Sequence, residues 1–130
     1  MRIEVKQEHI DEGTQGCPCY CAVSLAVYDA LKDKYKFTDS EALDFDDGKE
    51  EVEVGESWVE TAVQGMGAEI SIYTRLEKEV VEDVIYIRDE YHKDGMNSEI
   101  LEEWIEEFDH SKDELEPVGF KVEYIKRLRH

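Results

Sequence analysis

Three cysteines alternate with other residues in Cys17-Pro-Cys-Tyr-Cys21, and His9 precedes them in a polar stretch of chain. Two chemistries use such a group. A thiol at a helix N-terminus loses its proton more readily, so Cys17 or Cys19, just ahead of an apolar helical stretch, is a candidate thiolate. Cys17, Cys19, Cys21 and His9 are also the candidates for four soft zinc ligands. Their spacing opposes that site, because zinc-binding cysteine pairs are usually about two to four residues apart and each gap here is a single residue. A buried, apolar role for Cys21 is the better expectation, and neither a metal nor a cofactor is expected.

The second group with chemical consequences is acidic. Between Asp39 and Glu60 stand ten acids and one base, Lys49. The stretch LDFDDGKEEVEV, Leu43 to Val54, predicts a β-hairpin, since Asp47-Gly48 supplies the positive φ that a tight two-residue turn needs. In that register Leu43 faces Val52 and Phe45 faces Glu50, while on the other side Asp44 faces Glu51 and Asp46 faces Lys49. Asp44 and Asp46 then lie about 6.6 Å apart on one strand, with Glu51 and Glu53 on its neighbour. A second row belongs to the helix predicted after Asn97, whose polar face carries Glu99, Glu102, Glu103, Glu106, Glu107 and Asp109 with no base among them.

Both rows oppose folding. Like charges across a ladder repel, and carboxylates toward a helix C-terminus are each unfavourable by about a few tenths of a kcal/mol. One explanation is a surface that imitates a nucleic-acid backbone and fills the basic groove of a nucleic-acid-binding protein, with steering and counterion release driving association. The other is a solvated face that only keeps the protein soluble, which is what charge runs usually are. Calcium does not fit the acids near Asp44 to Glu56, because the EF-hand pattern requires a carboxylate five positions before its glycine and Leu43 stands there before Gly48.

Hydrolytic chemistry finds no motif: there is no Gly-x-Ser-x-Gly, no phosphate loop and no His-Glu-x-x-His. No enzyme is expected. His92 and His110 lie in polar stretches, and Lys126-Arg-Leu-Arg-His130 reads as a basic tail that offsets some of the acid.

These residues need elements to place them. Ile3 and Val5 alternate with polar neighbours as a strand does, and Glu8 to Gly16 reads as a loop. Pro18 suits the first turn of a helix whose apolar stripe runs through Val23, Val27, Ala30 and Leu31. Trp58 to Gly67 is read as a short helix or irregular connection, Ile70 and Ile72 as a strand, and Leu76 to Tyr91 as a helix, although its β-branched cluster would also suit a strand. Asn97 caps a helix in which Ile100, Leu101, Trp104, Ile105 and Phe108 share one face. Val118, Phe120, Val122 and Tyr124 close the chain as a strand. The expected fold is one α+β domain over residues 1–130, a mostly antiparallel sheet covered on one face by two or three helices.

Val5-Lys-Gln-Glu-His-Ile-Asp-Glu-Gly13 with Gly16 and Cys21-Ala-Val-Ser-Leu-Ala-Val27, then Trp104-Ile-Glu-Glu-Phe-Asp109 and Glu116-Pro-Val-Gly-Phe-Lys-Val122, carry a likeness: in these parts both ends resemble a family of small bacteriophage and mobile-element proteins without assigned chemistry. It implies a viral or mobile-element setting and no catalytic residue. Ala22 follows Cys21 where the family has proline, and Asp39 to Glu90 is not covered.

The whole composition agrees with a binder of basic surfaces. A chain of 130 residues with net charge -19 repels nucleic acid and anionic membranes, so its partners are expected to be basic proteins, possible host nucleic-acid-binding or defence proteins among them. Two Trp, seven Tyr and four Phe supply packing material that disordered chains lack. Cys21 to Tyr28 is too short to span a membrane, the first residues lack a signal core, and an odd cysteine count suits a reducing cytoplasm, the host's if the protein is viral. The alternatives to nucleic-acid mimicry are a host-modulating protein that binds a small ligand, a cysteine-ligated metal module, and a merely solubilising acidic surface.

Overall fold

The computed structural model describes residues 1–38, 52–63, 67–87 and 98–128. In chain order they form β1 (Arg2–Val5), α1 (Gln7–Glu12), α2 (Ala22–Leu31), β2 (Ser57–Val63), β3 (Ala68–Arg75), β4 (Val80–Ile87), α3 (Ser98–His110) and β5 (Val118–Leu128). The strands make a five-stranded sheet in the order β1-β5-β4-β3-β2, with every ladder antiparallel. The expected α+β class is therefore observed.

The helices cover one face. Ile3 and Val5 of β1, Phe120 of β5, Ile85 of β4, Ile70 and Ile72 of β3 and Val59 of β2 all join a single buried cluster. Val23, Val27 and Leu31 of α2 pack onto it, as do Leu101, Trp104, Ile105 and Phe108 of α3. These α3 positions repeat every three or four residues, so one stripe is buried and the rest of the helix faces water. Ile100, predicted on that stripe, is instead exposed. No helix among the described residues is long and apolar enough to cross a membrane.

Four segments differ from the pattern read in the sequence. Gln7–Glu12, which overlaps the loop expected over Glu8 to Gly16, is helical: the Lys6 backbone N–H donates to His9 Nδ1 at 2.9 Å, and Gln7 donates to Asp11 one turn on. His9 thus does the work that Glu or Gln does in a capping box. Helix α2 begins at Ala22 with Cys21 as its N-cap, so Pro18 lies in the preceding turn rather than in the helix. Its carbonyl there accepts from Thr61 N–H and the Ser24 hydroxyl.

Trp58 to Val63 and Val80 to Ile87 are strands. In β2 the adjacent residues Trp58 and Val59 are both buried, Val59 in the main core and Trp58 in a second cluster with Val52, Cys19, Tyr20 and Tyr73. Burial on both sides removes the alternation that announces a strand. In β4 the consecutive residues Asp83, Val84 and Ile85 are buried for the same reason, and pairing with β3 and β5 overrides the helical spacing. The expected basic tail is part of β5 as far as Leu128. Most of the predicted hairpin lies outside the described residues; Val52 to Glu56, which are described, belong to no strand.

Candidate functional site

Helix α3 places the site. Because Leu101, Trp104, Ile105 and Phe108 are buried, the residues between them turn outward, and Glu103, Glu106 and Glu107 are exposed. The chain then turns through a short 3-10 segment, Lys112–Glu114. Leu115 packs against the core and Trp104 Nε1 donates to the Glu116 carbonyl at 3.1 Å, which fixes that turn against the helix. The result is a concavity of about 560 Å³ lined by Glu103, Glu106, Glu107, His110, Glu114 and Leu115. Four of its walls are carboxylates, and among the described residues no Lys or Arg lines it.

The nearest cation in sequence is committed elsewhere. Lys112 Nζ donates to the carbonyls of Asp11 and Gly13 at 3.2 and 3.1 Å. Two predicted surface acids are also engaged in holding the fold. Glu102 accepts from the Gly67 backbone N–H at the β2 to β3 connection, and Asp109 accepts from Gly16 N–H at 2.9 Å. The structure therefore gathers Glu103, Glu106 and Glu107, adds Glu114, and uses Glu102 as a tie between elements. Glu53 is exposed in the turn before β2, its backbone N–H held by Glu56 at 3.1 Å. Asp44, Asp46, Glu51 and the side chain of Glu99 lie outside the described residues.

The cysteines form no ligand set. None is in a disulfide. Cys17 and Cys21 are buried, and burial pushes the Cys17 thiol above its ordinary value, the opposite of an activated thiolate. Cys19 packs with Val52 and Trp58 on the far side of β2. Among the described residues the group within metal-ligand reach is Glu8, His9 and Asp29 instead, with ligand atoms inside 4.8 Å of one another.

The hydrogen bonds of His9 argue against a metal at that group. Its Nδ1 accepts the Lys6 N–H, so in the neutral ring the proton sits on Nε2, 2.5 Å from Asp29 Oδ2. A metal-bound imidazole normally donates from its other nitrogen; here that nitrogen already faces a donor. His9 and Asp29 are better described as an oriented pair at the mouth of a cleft between α1 and α2.

Sequence reasoning missed Asp29, Glu114 and the grouping of Tyr35, Asp83 and Arg127. Nothing marks Asp29 beyond its polar position on α2, since its partner stands twenty residues earlier. No family model, curated protein or solved structure matches this chain.

Proposed function

We infer that this protein acts by binding, and that the acidic concavity of α3 receives a basic surface of another protein. The observation that carries this reading is the convergence of Glu103, Glu106, Glu107 and Glu114 around one recess with no Lys or Arg among the described residues that line it. Glu106 and Glu107 stand in the C-terminal half of α3, where the helix dipole disfavours them. Arginine and lysine side chains are the groups that such carboxylates bind best.

A basic groove that ordinarily holds nucleic acid fits this description. An acidic partner there would gain rate from long-range attraction and affinity from released counterions, and nucleic acid would compete with it. The resemblance to small mobile-element proteins supports a target among host nucleic-acid-binding or defence proteins, met in the host cytoplasm. The role is a binding one, not catalysis, and the protein itself does not bind nucleic acid.

The test is capture from host lysate on the tagged protein, with elution by a salt gradient. A nucleic-acid-binding protein should elute sharply with salt and be competed by duplex DNA or RNA. Glu103→Lys/Glu106→Lys/Glu107→Lys should lose it while keeping the far-UV and near-UV spectra of the parent. Undiminished capture by the folded triple variant would refute the role of this face.

A further inference from the structure

A second cleft lies away from the acidic recess, between α1, α2 and the segment that follows α2, with a volume of about 350 Å³. That is the lower end of the range for small-molecule pockets. Leu25, Tyr28 and Phe37 form its apolar wall. The rings of Tyr28 and Phe37 meet at 86° with centroids 4.8 Å apart, making a corner of two aromatic surfaces. The Tyr28 hydroxyl is already satisfied, accepting from Val59 N–H at 2.9 Å and donating to Val59 O at 3.4 Å. The ring is thereby fixed, and burial holds the phenol well above its ordinary pKa, so it stays neutral.

The rim carries the charge. Among the described residues that line it, Glu12 and Asp29 contribute two carboxylates and Lys32 one ammonium, one net negative charge. His9 is only 4% exposed, and its Nδ1 accepts the Lys6 N–H, which turns Nε2 toward Asp29. Its Nε2 stands 2.5 Å from Asp29 Oδ2 and holds that carboxylate in one orientation. Asp29 also stands in the last turn of α2, where the dipole adds negative potential. An aromatic corner beneath an oriented carboxylate is the arrangement that holds an ammonium group with an apolar body, through ion pairing and attraction to ring faces.

We propose that this cleft binds a small organic ammonium ion, its cationic head at Asp29 and Glu12 and its apolar body against Tyr28 and Phe37. The proposal goes beyond the acidic recess of α3 and uses none of its residues. Selectivity comes from the charge of the head, since an uncharged analogue keeps the apolar contact and loses the carboxylates.

Three probes with the same ring separate the terms: phenethylammonium, 2-phenylethanol and phenylacetate, titrated into the full chain and followed by amide NMR. Phenethylammonium should give saturable shifts at Leu25, Asp29, Phe37 and Thr38, with affinity about tenfold above that of 2-phenylethanol, and phenylacetate should give none. Asp29→Asn should abolish the preference for the cation. Should that variant fail to fold, exposed Glu12 offers the same test as Glu12→Gln. Equal affinity for 2-phenylethanol, no saturation, or cation shifts confined to α3 would each overturn the proposal. Because the probes report on α1 and α2 while lysate capture reports on α3, failure of either site leaves the other standing.

Discussion

Asp83 of β4 stands directly opposite Arg127 of β5, and one guanidinium satisfies both oxygens of its carboxylate, at 2.8 and 3.2 Å. Tyr35, from the segment after α2, donates a third hydrogen bond at 2.9 Å. Asp83 shares the helix-covered face with Val59 and Ile72, to which it is linked across the ladders. A carboxylate at the edge of the core is thus tolerated because three donors replace its water. Removing the guanidinium with Arg127→Leu should cost about 1–3 kcal/mol by leaving Asp83 under-satisfied. Urea denaturation should show a lower midpoint with an unchanged slope.

The same cluster sets an acid limit. Burial alone would raise the Asp83 pKa, but hydrogen bonds from Arg127 and Tyr35 and the charge of Arg127 outweigh it, so the group titrates below its ordinary 3.8. The unfolded chain therefore takes up this proton at a higher pH than the folded one. The contribution of Asp83 is complete above the unfolded value and lost as pH falls through the folded one. The stability gap between the parent and Asp83→Asn should be constant near neutrality and should shrink below the ordinary carboxylate range.

At the alkaline end the sign reverses. Burial, then the bond to Asp83 and its negative charge, push Tyr35 from 10.0 up to about 12. Its contribution is whole below the unfolded value and is lost as pH rises from there through the folded one. Tyr35→Phe should remove that portion of the alkaline loss, read from thermal midpoints measured across the interval.

Gly13 is a packing glycine, not a turn glycine, since its φ is -66°. An added Cβ would lie 2.8 Å from the His9 carbonyl oxygen and Ala22 nitrogen and 2.9 Å from the Phe108 ring. Backbone atoms on two sides cannot move aside cheaply, so Gly13→Ala should destabilise by about 1–3 kcal/mol. Chemical denaturation would check this, with Gly55→Ala as the contrast in which space is open and positive φ is the only obstacle.

Stability and binding should respond in opposite directions on α3. Glu106→Lys places a cation toward the C-terminal end and lowers acidic repulsion, which should stabilise the fold by about 0.3–1 kcal/mol at low salt. The same change should weaken the proposed complex, as salt-dependent binding and thermal unfolding of one variant would show.

Much of the fold was legible. Ile3 and Val5, Ile70 and Ile72, and Val118 and Phe120 alternate with polar or small residues as strands do, and the stripe of α3 announced itself at Leu101, Trp104, Ile105 and Phe108. The two misread strands share a physical cause. Trp58 beside Val59, and Asp83 beside Val84 and Ile85, are buried on both sides of the sheet, so the alternation used to recognise strands is absent. Helix α1 was hidden because the residue that reaches back to its N-cap, Lys6, is a histidine, His9, whose lone pair does what a glutamate usually does. On the candidate site, the exposed glutamates of α3 follow from periodicity, but Glu114 joins them only through the turn after the helix. The pairing of His9 with Asp29 depends on how α1 lies against α2, which no local pattern encodes.

The order β1-β5-β4-β3-β2 also constrains how the sheet is made. Among the described strands β1 pairs with β5 alone, Ile3 against Phe120, and β5 lies between β1 and β4. During synthesis β1 therefore waits for more than a hundred further residues before it has this ladder partner. The β2-β3-β4 meander can assemble from neighbouring residues, whereas closing the sheet requires contacts across more than a hundred positions. The last strand thus acts as the keystone, and the exposed edges of β1 and β4 make the interval before its arrival the time at which a growing chain is most open to aggregation.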